Sequence, residues 1–250
     1  MSRYNDKEVI RKDDLRMQEY YSSLSAVSFP TVFVPLTEEE LSFLAKGEKD
    51  GKCVENVVER IAGAVKNLPA SRFISLDTFS PLDTERYRKK RGAVSSPASI
   101  WAMLCDSART REEAAKGTIR NIVIRPFRRM DLAREFRIFI KGKKFAGMSQ
   151  YHLVRHFQRL VEREEEYMSK VSSFVEKIAP FLPEDDVVAD IYITHTRRVI
   201  LVDLNKWDRS TDAKMLKWDA LEKFVPGTDK AMYGIVPAPR KISGKLQVKF

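Results

Sequence analysis

A chain of 250 residues, 43% hydrophobic and 32% charged, can bury one large core or two lobes that share a cleft. No apolar run approaches the ~20 residues of a membrane span. Met1-Ser2-Arg3-Tyr4-Asn5-Asp6-Lys7 has no apolar stretch of a signal peptide, so a soluble, cytoplasmic protein is expected. The net charge of +10 suits a polyanionic partner, nucleic acid being the usual one, or simply gives a solvated basic surface.

Residues 1–28 are periodic enough for a helix (Leu15, Met17, Tyr20, Tyr21, Leu24). A short strand is expected over 29–36, bounded by Pro30 and Pro35. Thr37 and Glu40 then form a capping box that opens a helix with Leu41, Phe43 and Leu44 inside. Val54, Val57, Val58, Ile61, Val65 and Leu68 keep helical period, Phe73–Leu76 is a strand candidate, 80–84 is a turn, and 98–109 is a helix around Ile100, Trp101, Leu104 and Cys105. The strongest strands are 121–125, 135–140 and 144–150, the last two joined by the tight turn Lys141-Gly142-Lys143. A long amphipathic helix is expected over 156–178, a second helix over 212–224, and an irregular tail from 225. This order, an α/β first half (1–120) and an antiparallel second half with an inserted helix (121–250), suggests two lobes with a cleft between them. Cys53 and Cys105 lack any metal-ligand or disulfide spacing and read as buried small hydrophobes.

Chemistry concentrates in one hairpin. Val187–Tyr192 and Ile200–Asn205 are apolar runs carrying Asp190 and Asp203, with the polar turn 194–198 between them. Asp203 and Asn205 are two apart, so on a strand they share a face. With Asp190 on the neighbouring strand they make a hard-oxygen cluster suited to Mg²⁺, which takes one or two carboxylates and completes its shell from phosphate and water. The plainer reading is that the two aspartates end or kink their strands. Glu135 and Arg137 likewise share a face, and a guanidinium can clamp phosphate oxygens bidentately. Arg137 could equally pair with Glu135 or Asp190 as a structural ion pair.

Basic residues recur at 86–91, at 125–129 and on to Lys144, at Arg155, Arg159 and Arg163 with a spacing of four, and at Arg240, Lys241, Lys245 and Lys249. Arg88, Lys90, Arg91, Arg128, Arg129 and Arg155 are the candidate nucleic-acid contacts. His152 and His156 suit an exposed helix face better than a metal site, and Trp101, Trp207 and Trp218 suit core or lobe packing.

Phe73–Thr84 (FISLDTFSPLDT), Ile122–Gln150 (with its EFR-x-F strand and its SQY end at Tyr151) and Val187–Trp218 (with DIY and VDLN) resemble, in order and at similar spacing, the ATP-grasp proteins of the cell division cycle 123 type. The resemblance covers nearly the whole chain. It implies an α+β ATP-grasp fold with Mg-ATP held in the cleft between two lobes. It further implies metal binding by Asp203, Asn205 and Asp190, and nucleotide contacts from Arg125, Arg137 and Asp190; Gln150, at the end of the neighbouring strand, could reach the same cleft. Arg125 could instead bind phosphate at the surface. The chain departs from the family pattern at Ser75 and Leu82, where basic residues are usual, at Phe79, where many prokaryotic relatives have arginine, and at Lys206-Trp207, where Pro-Phe is common. Lys89 or Lys90 could supply the missing cation.

The basic surface makes an ATP-dependent RNA ligase or RNA end-repair enzyme the leading expectation, with Arg137 and Asp203 as its catalytic groups and RNA as its partner. The alternatives are an ATP-binding assembly chaperone for translation initiation factor 2, which the resemblance to the eukaryotic members implies, and a carboxylate-amine (peptide) ligase.

Overall fold

The computed structural model describes residues 15–239. The basic tail at Arg240, Lys241, Lys245 and Lys249, and the part of the expected first helix before Leu15, lie outside them. The chain divides into two compact units between Arg129 and Met130.

The first unit is built on a four-stranded antiparallel sheet in the order β1 (Val32–Pro35), β4 (Asn121–Pro126), β2 (Arg72–Leu76), β3 (Ala93–Val94). The expected boundary at 120/121 is therefore displaced. β4 pairs with β1 and β2 and belongs to the first sheet. Helices α1 (Met17–Leu24), α2 (Glu38–Lys46), α3 (Lys52–Ala64), α4 (Glu85–Lys90), α5 (Pro97–Asp106) and α6 (Ala108–Ala115) complete this unit. The capping box forms as read: Glu40 N donates to Thr37 Oγ1 at 3.2 Å and Thr37 N to Glu40 Oε2 at 2.9 Å. Val57, Ile61, Ile74, Ile100, Leu104, Ile122 and Ile124 meet in one buried core, with Trp101 closed inside it and its indole N–H on Glu48 O. Cys105 is buried and Cys53 half-buried, both as free thiols.

One carboxylate organises the end of this sheet. Asp77, just past β2, accepts from Asn121 N and Asn121 Nδ2 at 3.0 Å each, from Arg120 N, and from Arg16 Nη1 at 3.2 Å. It thereby joins β2, β4 and the residue that opens α1.

The second unit carries a five-stranded sheet in the order β8 (Val199–Lys206), β7 (Val187–Ile193), β5 (Glu135–Lys141), β6 (Lys144–Gln150), β9 (Met232–Gly234). All pairs are antiparallel except β6–β9. The two-residue turn between β5 and β6 has Gly142 at φ 53° and Lys143 at φ 58°, the positive values that let a hairpin keep its right-handed twist. On one face α8 (Glu164–Ile178) lays Tyr167 against Phe136, ring centres 5.6 Å apart. On the other face Phe139 meets Trp207 and Trp218 edge-on, with Leu221 of α9 (Trp218–Lys223) and Phe224 beside them.

Several expectations shift. The helix expected over 156–178 is broken at Arg163 into α7 (Gln158–Glu162) and α8, and Arg155 precedes it, so Arg155, Arg159 and Arg163 do not form one helical stripe. The expected 98–109 helix is two helices, turned at Ser107, which caps the second through its hydroxyl. His152 and His156 lie in a loop, not on a helix face. The helix expected over 212–224 is helical only from Trp218, and the expected irregular tail contains β9.

Candidate functional site

Register decides which polar side chains meet. Arg137 on β5 stands opposite Asp190 on β7, and Asp190 opposite Asp203 on β8. Directly opposed residues project to the same face, so the three side chains form a row across adjacent strands. Asn205, two residues past Asp203, shares that face, and its Nδ2 donates to Asp190 Oδ2 at 3.2 Å. The row flanks the apolar patch of Phe139, Val188, Trp207 and Trp218.

Arg137 is held on three sides. Its Nε and Nη2 donate to the two oxygens of Asp190 at 2.8 and 2.9 Å, and its Nη1 donates to Asp212 O at 2.8 Å. Burial opposes its charge, yet the hydrogen bonds and field of Asp190 keep its pKa above the ordinary arginine value. Of the two alternatives read from the sequence, the ion pair with Asp190 is the one the structure contains.

The segment that follows β8 folds over this face. Met215 N donates to Ser149 Oγ at 2.9 Å, and Trp218 Nε1 donates to Thr211 O at 2.8 Å. Leu216 reaches close enough that a Cβ on Gly147 would lie 3.1 Å from it. Lys214 is brought in by this fold. Its Nζ sits 3.0 Å from Asp212 Oδ2 and 4.5 Å from the centre of the Tyr151 ring, and the Arg137 guanidinium lies 5.4 Å from the same centre. Burial, joined by the Asp190 charge, pushes the Tyr151 phenol up to about 12. Asp212 is held below the usual carboxylate range: burial works against this and is outweighed by hydrogen bonds from the Lys214 backbone N–H and ammonium. Glu135 lies 3.1 Å from the His152 ring.

The remaining expected residues are dispersed. Gln150 stands opposite Phe136, on the other side of the sheet from Arg137. Its amide is buried and committed to backbone: Nε2 donates to His152 O and Arg155 O, and Oε1 accepts from Val236 N. Gln150 ties down the 151–157 loop and does not join the cluster. In the first unit Arg125 is buried on β4, with its Nη2 against Met17 Sδ, and Lys89 is exposed on α4 and paired with Glu85 at 2.6 Å. Arg88, Lys90 and Arg91 are exposed on or just past α4, and Arg128 and Arg129 are exposed after β4. Arg155 is exposed and stacks over Phe157 at 4.9 Å, beside an open pocket that Asp131, His156 and Arg159 also line. Tyr151, Asp212 and Lys214 are the cluster members that sequence reasoning did not single out. Tyr151 carried a signal as the end of the SQY motif, and Asp212 and Lys214 only by lying within the 187–218 stretch that carries the resemblance.

The D123 family model matches residues 65–246. The chain belongs to this family. It is 31% identical over 102 residues to cell division cycle protein 123 of Candida glabrata, which covers 40% of this chain and 28% of that protein. It is 25% identical over 103 residues to the translation initiation factor eIF2 assembly protein of Xenopus tropicalis, covering 41% of this chain and 31% of that one. The matches thus span about a third or less of these relatives' length. The structure of C-terminally truncated Cdc123 from Schizosaccharomyces pombe superposes with a TM-score of 0.75 at 20% identity, covering 89% of this chain and 95% of that one. The α+β architecture expected from the sequence holds, and the fold is the one seen in Cdc123.

One expectation is overturned. The ATP-dependent ligase joining or repairing RNA does not stand, because the relatives are cell division cycle 123 and eIF2 assembly proteins. The error came from reading net charge as a substrate. Charge reports non-specific affinity for polyanions, not chemistry, and several basic residues are paired locally: Lys89 with Glu85, Arg159 with Asp131, Arg163 with Glu166. No helix among the described residues is long and apolar enough to cross a membrane.

Proposed function

We propose that this protein is an ATP-binding assembly factor for a translation factor, translation initiation factor 2 or its counterpart, with Mg-ATP bound at the Arg137–Asp190–Asp203–Asn205 row. The observation that carries the reading is the convergence of that row, on one face of three paired strands, within the span matched by the D123 family model. The partner reading is supported by the similarity to translation initiation factor eIF2 assembly proteins.

The donor set fits a magnesium ion that arrives with its nucleotide. Asp203 supplies a carboxylate. The Asn205 amide nitrogen is turned to Asp190, so its oxygen is the end available to a cation. Among the described residues no three His, Cys, Asp or Glu side chains form a metal cage by themselves. That suits Mg²⁺, which draws the rest of its shell from phosphate and water, and suits a tight all-protein site poorly. When bound, the ion would neutralise phosphate charge beside the carboxylates. Asp190 has both oxygens engaged by Arg137, so its part would be to orient Asn205 and hold Arg137, while Asp203 and Asn205 would hold the ion. The aromatic and apolar patch beside the row limits water on that side.

The test is capture of purified translation initiation factor 2 subunits by the full chain, with and without Mg-ATP, beside Asp203→Ala. Capture that rises with Mg-ATP and is lost in the variant is the expected result. Absence of both nucleotide binding and factor capture refutes the reading.

A further inference from the structure

Two cations lie against the Tyr151 ring, and they are not equivalent. Arg137 commits three of the five N–H groups of a guanidinium, two to Asp190 and one to Asp212 O, and its side chain is 8% exposed. Turning it toward a ligand would strip Asp190 of its main partner. Lys214 has an ammonium with three N–H groups and one ion-pair partner among the described residues, Asp212, whose own side chain is largely exposed. At least one further N–H is open to an incoming anion, and the Lys214 side chain is twice as exposed as that of Arg137, at 17% against 8%.

The backbone at Lys214 strengthens the contrast. Its φ of 58° is the left-handed region that residues with a Cβ seldom enter. The conformation is imposed from both sides: Arg137 Nη1 and Ser149 Oγ anchor the peptides at Asp212 O and Met215 N, and Asp212 Oδ1 accepts Lys214 N at 2.8 Å. The fold thus spends several hydrogen bonds to set one lysine over a face that also carries Glu135, Asp190, Asp203 and Asp212. An anion approaching those carboxylates needs a cation that can turn to meet it, and Lys214 is the one so placed.

We propose that Lys214 is the residue of this unit that contacts the terminal phosphates of the bound nucleotide, and that Arg137 is a positioning residue acting through Asp190 and the Asp212 carbonyl. The inference rests on the nucleotide-binding reading above, and it reassigns the phosphate contact that the sequence suggested for Arg137.

Isothermal titration of the full chain with ATP, ADP and adenosine in Mg²⁺ buffer tests it, using wild type, Lys214→Gln and Lys214→Arg. Lys214→Gln is expected to lower ATP and ADP affinity about tenfold or more, to leave adenosine affinity within about twofold, and to recover most of the loss in Lys214→Arg, as a charge-assisted contact requires. Unchanged ATP affinity in Lys214→Gln overturns the assignment while leaving the nucleotide site standing. Equal loss of ATP and adenosine affinity also overturns it, since the lysine would then be structural. A wild-type chain that binds neither ligand fails the nucleotide reading itself, and the inference with it.

Discussion

Removing Arg137 should be the most damaging single change in the second unit. The side chains of Arg137 and Asp190 are 8% and 13% exposed, and two short, charge-assisted hydrogen bonds join them. Arg137→Met leaves the Asp190 carboxylate with the Asn205 amide as its remaining hydrogen-bond donor across the row, and it strips Asp212 O of its donor. Each hydrogen bond to a charged group contributes roughly 1.5–3 kcal/mol. Their simple sum overshoots, because water enters part of the vacated space. Breaking one side of a buried pair costs about 3–5 kcal/mol, and that is the expected loss. With a urea dependence of about 1–3 kcal/mol per molar, the unfolding midpoint should fall by about 1–5 M. Trp207 and Trp218 pack on Phe139 beside the row, so tryptophan fluorescence reports unfolding of this unit. Arg137→Lys keeps the charge and loses the fork, so it should fall between wild type and Arg137→Met. Arg137→Met combined with Asp190→Leu should recover part of the loss, because no uncompensated charge remains. A loss below about 1 kcal/mol in Arg137→Met, the level of an exposed ion pair, would refute the claim that this pair is a buried anchor.

Four further outcomes follow from other parts of the structure. Asp77→Ala, which removes the shared acceptor of Arg16, Arg120 and Asn121, should destabilise the first unit by about 3–5 kcal/mol in chemical denaturation; a loss near zero would mean that water replaces the carboxylate. Thr37→Ala breaks the capping box of α2 and should cost about 1 kcal/mol by the same assay. Tyr151 ionises near 10.0 when unfolded and at about 12 when folded. Its contribution, at most about 2.7 kcal/mol, is therefore complete below pH 10 and lost as pH rises toward 12, and Tyr151→Phe should flatten that limb of the stability profile. Gly234→Ala would set a Cβ 2.9 Å from Met215 Cβ and from Leu216 Cδ2, so it should displace the segment carrying Lys214 and weaken nucleotide binding more than it lowers the melting temperature.

The strands of both sheets were legible where period and turn chemistry agreed. Val199–Lys206 and Val187–Ile193 announced themselves as apolar runs about a polar turn, and Lys141-Gly142-Lys143 as a hairpin. Helix limits were less so. The apolar period from Phe157 to Ile178 continues through Arg163, where the backbone reaches φ −120° and ψ 20°, and nothing in the period marks that break. β9 is three residues long and pairs in parallel with a strand more than eighty residues earlier, so it owes its existence to tertiary context rather than local pattern. The boundary between units was misread for a similar reason. β4 looks like the first of a run of strands, and only its pairing with β1 and β2 puts it in the other sheet.

The candidate site divides along the same line. Arg137, Asp190, Asp203 and Asn205 were legible because they sit on regular strands, where a period of two fixes their face before any partner is known. Which of them would be consumed by the others was not, because that depends on register between strands: a guanidinium directly opposite a carboxylate in a buried row pairs with it, and its donors are no longer on offer. Lys214 was invisible for the opposite reason. It falls within the 212–224 stretch expected to be helical, of which the structure makes helix only from Trp218, and its place over Tyr151 is set by the hydrogen bond that Arg137 donates to Asp212 O and the one that Ser149 accepts from Met215 N, both from distant strands. On the reading proposed above, Arg137 is the scaffold and Lys214 the contact. The two roles separate experimentally. Loss of Arg137 should cost stability whatever the ligand, whereas loss of Lys214 should cost affinity only for nucleotides that carry phosphates.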